Sequence, residues 1–174
     1  ILVALLGRIR VCGLAPVCLA LALWGTTDRP TLLVSSNGRV IGLATNEGRV
    51  VNRDRGNSFI IKSWLENDGD AAQQADAVLR KGLVSREKGS EFTLAGTKVA
   101  YLWDKSITKP DLTALCQRNT LVIVPQVALA APVGCTVIDK TVLRELGSIA
   151  VTETADGLRL TGARKVTGTR LWSR

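Results

Sequence analysis

The side chains best placed to do chemistry form an acidic cluster in the first half of the chain. Glu66 is followed by Asp68 and Asp70, with Gly69 between the two aspartates. Carboxylate oxygens grouped in this way could hold Mg²⁺ or Ca²⁺. An EF-hand loop would need further oxygen ligands and a glutamate at its twelfth position, and the sequence supplies neither. We therefore favour a solvated turn that ends a helix, and keep a magnesium-dependent nuclease as the weaker hypothesis.

Histidine and methionine are both missing from the sequence. Without histidine there is no Ser-His-Asp or Cys-His nucleophile system, no HExxH zinc protease and no His-based metal site. Gly38, Gly42 and Gly48 are spaced for hairpins rather than for a phosphate-binding loop. We predict no enzymatic activity, no catalytic residue, no metal site and no cofactor. Because translation starts at methionine, we also expect Ile1 to lie inside a longer protein.

Two cysteines, Cys116 and Cys135, lie in the part of the chain that follows the apolar N-terminus. In an oxidising compartment they could form a disulfide, which for a loop of this length contributes about 3 kcal/mol of stability. Two buried free thiols are the equally weighted alternative. Their spacing is not that of a CxxC redox or zinc motif.

Positive charge dominates the sequence, since 23 Lys and Arg against 15 Asp and Glu give a formal net charge of +8. This balance fits contact with nucleic acid or anionic lipid, and is also common on ordinary soluble domains. The candidates for non-specific phosphate contacts, in a segment with no acidic residue after its first cation, are Arg159, Arg164, Lys165 and Arg170. A solvated terminus explains the same residues. A second basic run, over residues 80–88, lies beside glutamates and indicates ordinary surface.

Apolar residues are concentrated at the start of the chain. Residues 1–6 and 11–24 carry no charge, and Arg8 and Arg10 lie between them. We favour residues 11–24 as the last membrane-crossing helix of a multi-pass protein, with Trp24 at the interface. By the positive-inside rule, Arg8 and Arg10 would then lie in the cytoplasm. A signal peptide, or a buried hairpin of a soluble protein, is the alternative.

The remaining sequence alternates between strand and helix patterns. Strands are predicted, from apolar runs and the turns that bound them, at residues 31–35, 39–45, 49–52, 91–95, 98–103, 120–124, 136–138, 148–153 and 158–161. Helices are predicted from Asn57 or Ser58 to the Asp68-Gly69-Asp70 break, over 71–81, from Pro110 to Cys116, and from the cap Asp139 to Gly147. The first of these helices should bury Phe59, Ile60 and Trp64, with Ile61 and Leu65 beside them.

These elements predict an α+β fold, in which one last transmembrane helix is followed by a strand-rich soluble domain. We divide the chain into the end of a membrane domain (1–25), a linker (26–30), an extracytoplasmic domain (31–163) and a basic tail (164–174). The predicted core consists of Leu33, Val40, Ile41, Trp64, Leu65, Val99, Leu102, Leu121, Ile123, Ile138, Leu143 and Val151.

An ordered series of residues resembles the ComEC family of competence proteins, in particular the C-terminal part of its proteobacterial members. The series begins with Gly13–Pro16, Arg29-Pro30, Leu33–Ser35 and Gly38-Arg39, and goes on through Phe59, Trp64-Leu65 and Asp68–Asp70. It closes with Cys116, Leu121–Val124, Cys135, Val137–Lys140, Leu143, Gly147, Gly168 and Trp172. The likeness covers nearly the whole chain, although no single motif in it is diagnostic.

The resemblance implies a part of the inner-membrane channel that carries single-stranded DNA into the cell during natural transformation. It also implies a metallo-β-lactamase-like C-terminal domain, whose metal ligands are mostly histidines in an HxHxDH arrangement. Because this chain has no histidine, we expect a degenerate, non-catalytic version of that domain. On this hypothesis it contacts single-stranded DNA weakly and works with other parts of the uptake machinery or a second channel copy. The competing hypothesis is a membrane-anchored periplasmic binding or structural domain unrelated to DNA.

Overall fold

The computed structural model describes residues 14–25, 29–103, 108–118, 121–127 and 131–168. Within these ranges the chain forms two five-stranded sheets accompanied by six helices. The strand-rich α+β character predicted from the sequence is therefore confirmed.

Sheet A joins strands from both ends of the described chain, and all its pairs are antiparallel. Its strands, in spatial order, are β10 (Gly157–Gly162), β9 (Ile149–Thr154), β1 (Leu32–Val34), β2 (Ile41–Thr45) and β3 (Gly48–Val51). Leu32 stands opposite Val151, so the first strand pairs with one near the end. The predicted turns at Asn37-Gly38 and Asp156-Gly157 are present, and Gly38 supplies a positive φ of 66°.

Sheet B is built from the middle of the chain and mixes two kinds of pairing. Its strands, in spatial order, are β4 (Val84–Ser85), β5 (Gly89–Leu94), β6 (Thr97–Leu102), β7 (Leu121–Ile123) and β8 (Thr136–Ile138). The first three are antiparallel, whereas β6, β7 and β8 run parallel. Helix α4 (Lys109–Arg118) follows β6 in the chain and precedes β7, which is the crossover that a parallel pair requires.

The main core lies between the two sheets, because the inward side chains of both contribute to one apolar cluster. Its fully buried members include Leu32, Ile41 and Val151 from sheet A and Val99 and Ile123 from sheet B. Two smaller clusters lie on the outer faces. Helices α2 (Ser58–Asp68) and α3 (Gln74–Ala77) cover part of sheet A. Helix α4 covers part of sheet B.

The predicted core is buried except at two positions, Leu33 and Trp64, which are only partly buried. Strand β1 alternates, so that Leu32 and Val34 enter the core while Leu33 faces outward. There Leu33 and Trp64 line one side of a shallow apolar cavity of about 220 Å³.

Helix α2 ends as predicted but turns a different face to the sheet. Gly69 stops it with a left-handed backbone (φ 73°), and its N–H donates to the Glu66 carbonyl. Ile61 and Leu65 are buried, whereas Phe59, expected on the buried face, is 85% exposed. Apolar residues lie around more of the circumference of α2 than sheet A can cover, and Phe59 is therefore left exposed.

The helix predicted over residues 71–81 is wrong for most of its length, because only α3, four residues long, is helical there. The side chain of Arg80 is used instead for an ion pair with Asp70. The last predicted helix, α5 (Lys140–Leu146), is confirmed. Its cap Asp139 accepts a hydrogen bond from the Val142 N–H at 2.9 Å. Helix α6 (Ala163–Thr167) follows β10 directly.

The predicted membrane-crossing helix over residues 11–24 is not supported. Helix α1 (Leu14–Gly25) has twelve residues, about 18 Å at 1.5 Å per residue, against a hydrocarbon core of about 30 Å. Among the described residues, none of the helices is both long and apolar enough to span a bilayer. The absence of charge over residues 11–24 shows that this segment is apolar, and an apolar segment need not form a helix of membrane-spanning length. Arg8 and Arg10 lie outside the described residues.

Candidate nucleic-acid interface

The carboxylates of Glu66, Asp68 and Asp70 are all engaged in ion pairs. Arg49 on β3 donates from Nε and Nη2 to the two carboxylate oxygens of Asp68. Arg80 likewise makes a bidentate pair with Asp70, because its Nη1 and Nη2 donate to the two carboxylate oxygens. Glu66 pairs with Lys62 one helical turn away, at 3.7 Å on the surface. Each carboxylate that could have held a metal ion is therefore matched to a cation of the same chain.

Arg49 is the centre of this cluster, because its side chain is only 1% exposed. Besides Asp68 it donates to the carbonyl oxygens of Gly42 at 2.9 Å and Pro30 at 3.2 Å. A side chain at position 42 would bring its Cβ to 2.9 Å from the Arg49 Cδ, so glycine makes room for the guanidinium stem. The arrangement ties sheet A to the segment that ends α2.

Asp70 extends the same network to the next segment of the chain. The hydrogen bonds from Arg80 hold the pKa of the Asp70 carboxyl below its usual value, and the Ala72 N–H adds to this effect. Arg80 also donates to the Arg49 carbonyl at 2.9 Å. Across the described ranges, no group of three or more His, Cys, Asp or Glu side chains is placed to hold a metal ion. The nuclease hypothesis therefore loses the free carboxylates on which it depended.

Cys116 and Cys135 are joined by a disulfide, with their Cα atoms 5.5 Å apart. Cys116 belongs to the last turns of α4, and Cys135 directly precedes strand β8. Both pack against the outer apolar cluster of sheet B, whose buried members include Leu112 and Val122. The bond therefore fixes α4 to the sheet that it covers.

A buried hydroxyl group links sheet B to residues next to the strands of sheet A. Tyr101, the only tyrosine of the chain, donates its hydroxyl to the Arg39 carbonyl at 2.9 Å and accepts from Asn52 Nδ2 at 3.2 Å. Burial raises the pKa of Tyr101 to about 12. The hydroxyl is thus kept neutral and joins sheet B to the β1–β2 turn, which is a structural task.

Three of the four predicted DNA-contact residues fall on neighbouring elements. Arg159 is exposed on the edge strand β10, and Arg164 and Lys165 lie on α6. Arg170 lies outside the described residues. Helix α6 is held beside the end of α5, because the Ala163 N–H donates to the Ser148 carbonyl at 2.8 Å and the Arg164 side chain lies close to Gly147.

This packing adds two cations that the sequence analysis did not select. Lys140 and Arg144 are exposed on α5, four residues apart and hence on one helix face. The basic patch, as we call it, comprises Lys140, Arg144, Arg159, Arg164 and Lys165. None of its members forms an ion pair with another described residue. The spacing of Lys140 and Arg144 within a correctly predicted helix was the signal that could have found them.

No protein-family model, no curated protein and no solved structure matches this chain. The comparisons therefore neither support nor oppose the resemblance to the ComEC family, which stays a prediction.

Proposed function

We propose that this chain is a non-catalytic domain that contacts single-stranded DNA, in a DNA-uptake channel of the kind that the ComEC family forms. The observation that carries the proposal is the basic patch, in which five cations from α5, α6 and β10 lack carboxylate partners among the described residues. Unneutralised cations on adjacent elements are what a phosphate backbone requires.

The composition of the patch favours contact with the backbone rather than with bases. It contains no aromatic side chain on which a base could stack. Binding should therefore be weak, insensitive to sequence and strongly dependent on salt. If all five cations meet phosphates of a single strand, the slope of log K against log salt should be about −3.5.

The disulfide supports the cellular place that we propose for the domain. Disulfides persist in oxidising compartments such as the bacterial periplasm and are rare in the cytosol. We place the domain on the extracytoplasmic side of the inner membrane, as part of a multi-pass parent protein. There it would guide incoming DNA toward other parts of the uptake machinery, with or without a second copy of the channel.

The test is fluorescence anisotropy of a labelled oligothymidylate with the full 174-residue chain, over a series of salt concentrations. A patch variant carries Arg159→Ala, Arg164→Ala and Lys165→Ala. A control of equal charge change carries Arg55→Ala, Lys62→Ala and Lys81→Ala, which are exposed cations elsewhere. We expect the patch variant to flatten the salt slope by about 2, at about 0.7 per lost contact.

Two results would overturn the proposal. One is the absence of salt-dependent binding by the unaltered chain. The other is an equal loss in the patch and control variants, which would indicate attraction by net charge alone. Either result would favour the competing hypothesis, a binding or structural domain unrelated to DNA.

A further inference from the structure

The outer face of sheet B is only partly covered by its helix. Helix α4 packs on the apolar side chains of β6 and β7, including Ala100, Leu102 and Val122. The neighbouring strands β4 and β5 are left beside the helix rather than beneath it. Two adjoining cavities open there, of about 510 and 480 Å³, and they share Arg86, Glu91 and Arg118.

The two cavities differ in chemistry. The smaller one, here the cationic cavity, is lined by Arg86, Lys98 and Arg118, with Glu91 as its one acidic residue. The larger one has an apolar floor made of Ala100, Leu102 and Leu115. Its charged lining residues are the cations Arg86, Lys88 and Arg118 and the carboxylates Glu87, Glu91 and Asp111. A ligand with an anionic group and an apolar part could therefore place the anionic group in the cationic cavity and the apolar part on the floor of the larger one.

The charge of the cationic cavity is not cancelled from within. Glu91 lies 3.2 Å from Arg86 and neutralises that side chain. Lys98 and Arg118 make no ion pair with any residue that the structure describes, and Arg118 donates only a long bond of 3.4 Å to the carbonyl of Ala114 in its own helix.

Two neutral side chains add donors to this pair of cations. The Thr93 hydroxyl belongs to β5 and the Gln117 amide to α4, and both line the cationic cavity. Arginine offers a planar fork of donors to an oxyanion, and lysine adds a compact charge. Cations and neutral donors from a sheet and a helix thus converge on one space.

We propose that these cavities bind one nucleotide of single-stranded DNA, with its phosphate in the cationic cavity and its sugar and base over the apolar floor of the larger one. Lys98 and Arg118 carry the phosphate, and Thr93 and Gln117 donate to its remaining oxygens. Because a paired base is not free to lie on the floor, the site favours single strands over duplexes. This inference rests on the proposed function and adds a second contact region to the basic patch.

The disulfide keeps the helical wall of the site in place. Cys116 immediately precedes Gln117 and Arg118, the two residues that α4 contributes to the cationic cavity. Its partner Cys135 lies beside the apolar cluster under the same helix. The backbone that carries Gln117 and Arg118 is therefore held against sheet B before a ligand arrives, which lowers the backbone entropy lost on binding.

The experiment combines two probes with the full chain. Inorganic phosphate, added during two-dimensional NMR, should shift the backbone amides of Thr93 and Gln117, and these shifts should disappear in a cavity variant carrying Lys98→Ala and Arg118→Ala. In oligothymidylate binding, the cavity variant should flatten the salt slope by about 0.7, because the two cations neutralise one phosphate. A control with Arg55→Ala and Lys81→Ala should leave both measurements unchanged.

The outcomes separate the two proposals. If the unaltered chain binds DNA and only the patch variant weakens it, with no phosphate shift at Thr93 or Gln117, the cavity site is wrong and the proposed function stands. If phosphate shifts those amides but DNA is not bound, the proposed function fails, and with it the assignment of a DNA nucleotide to the cavities, which then bind phosphate alone. Equal binding of single-stranded and duplex DNA to the patch variant, in which the cavities are intact, also overturns the nucleotide site.

Discussion

The two sheets hold their outer helices by different chemistry. On sheet A, α2 and the segment after it are fixed by arginine–carboxylate pairs, Arg49 with Asp68 and Arg80 with Asp70. On sheet B, α4 is fixed by the Cys116–Cys135 disulfide. The apolar cluster beneath each helix is small, with five buried members in either case among the described residues. Each helix therefore needs an anchor beyond apolar burial.

The difference shows how each region responds to its surroundings. The ion pairs depend on the ionisation of carboxylates, and the disulfide depends on an oxidising environment. In the charge network of sheet A, Arg49 and Arg80 are engaged by carboxylates of their own chain and are not available to a ligand. In the covalently anchored region, Lys98 and Arg118 form no ion pair with any described residue.

The largest effect should come from removing the buried arginine of sheet A. Arg49→Met leaves Asp68 and the carbonyls of Gly42 and Pro30 without their donor, and should lower the free energy of unfolding by about 3 to 5 kcal/mol. Urea denaturation measures this loss. The matched control Arg55→Met alters a side chain that is 92% exposed and should cost less than about 0.5 kcal/mol. Equal losses in the two variants would remove the ion pair as the anchor.

The disulfide of sheet B should rank next. Replacing Cys116 and Cys135 by serine should lower stability by about 3 kcal/mol, given the length of the loop that the bond closes. Hydrogen exchange should quicken in α4 and remain slow in α2. The control Cys18→Ser changes an exposed thiol and should have no effect. Uniform quickening across both helices would mean that the two covers are not independent.

A third prediction concerns apolar contact alone on the sheet A side. Ile61→Ala should lower the free energy of unfolding by about 2 kcal/mol, the low end for a buried isoleucine, because the cluster around it is small. Phe59→Ala should change it by less than about 0.5 kcal/mol, because that ring is 85% exposed. Thermal or urea unfolding measures both changes. The prediction is wrong if Phe59→Ala lowers the free energy of unfolding more than Ile61→Ala does.

The smallest effect should appear on acidification. The pKa of Asp70 is lowered in the folded chain relative to 3.8, so its contribution to stability is present above pH 3.8 and is lost as the pH falls through the folded pKa. Hydrogen exchange in α3 should quicken over that range before exchange in α4. In Asp70→Asn the acid-dependent part should vanish. If protection from hydrogen exchange were lost in α4 before α3, the acid-sensitive contribution would not come from Asp70.

Local signals in the sequence predicted most of the elements, and long-range contacts account for most errors. The Asp139 cap, the Gly69 and Gly147 stops and the glycine turns each act within a few residues, so their structure follows from their neighbours. The pairing of Arg49 with Asp68 joins residues that no local rule connects, and with it the acidic cluster changed from a candidate metal site to a structural one.

The same reasoning explains the rest of the differences. Residues 71–81 have helix-forming composition, but the Arg80–Asp70 pair bends the chain back toward β3 before a long helix can form. The proposed DNA-contact surfaces could be predicted only in part, because Lys98 and Arg118 line one cavity through the packing of α4 on sheet B. Among the cations that line the two cavities, only Arg86 and Lys88 belong to the basic run over residues 80–88. Because glutamates lie beside that run, the sequence indicated ordinary surface there.

The pairing of β1 with β9 has a consequence for how this protein is made. Strand β1 is synthesised long before β9, which is one of its two partners in sheet A. Until then β1 presents an open edge to which other chains could add a strand. Contacts of such long sequence separation slow folding, and sheet A cannot be completed before β9 has been synthesised. We expect nascent chains that stall before β9 to aggregate or to require a chaperone, whereas sheet B is assembled from one contiguous stretch.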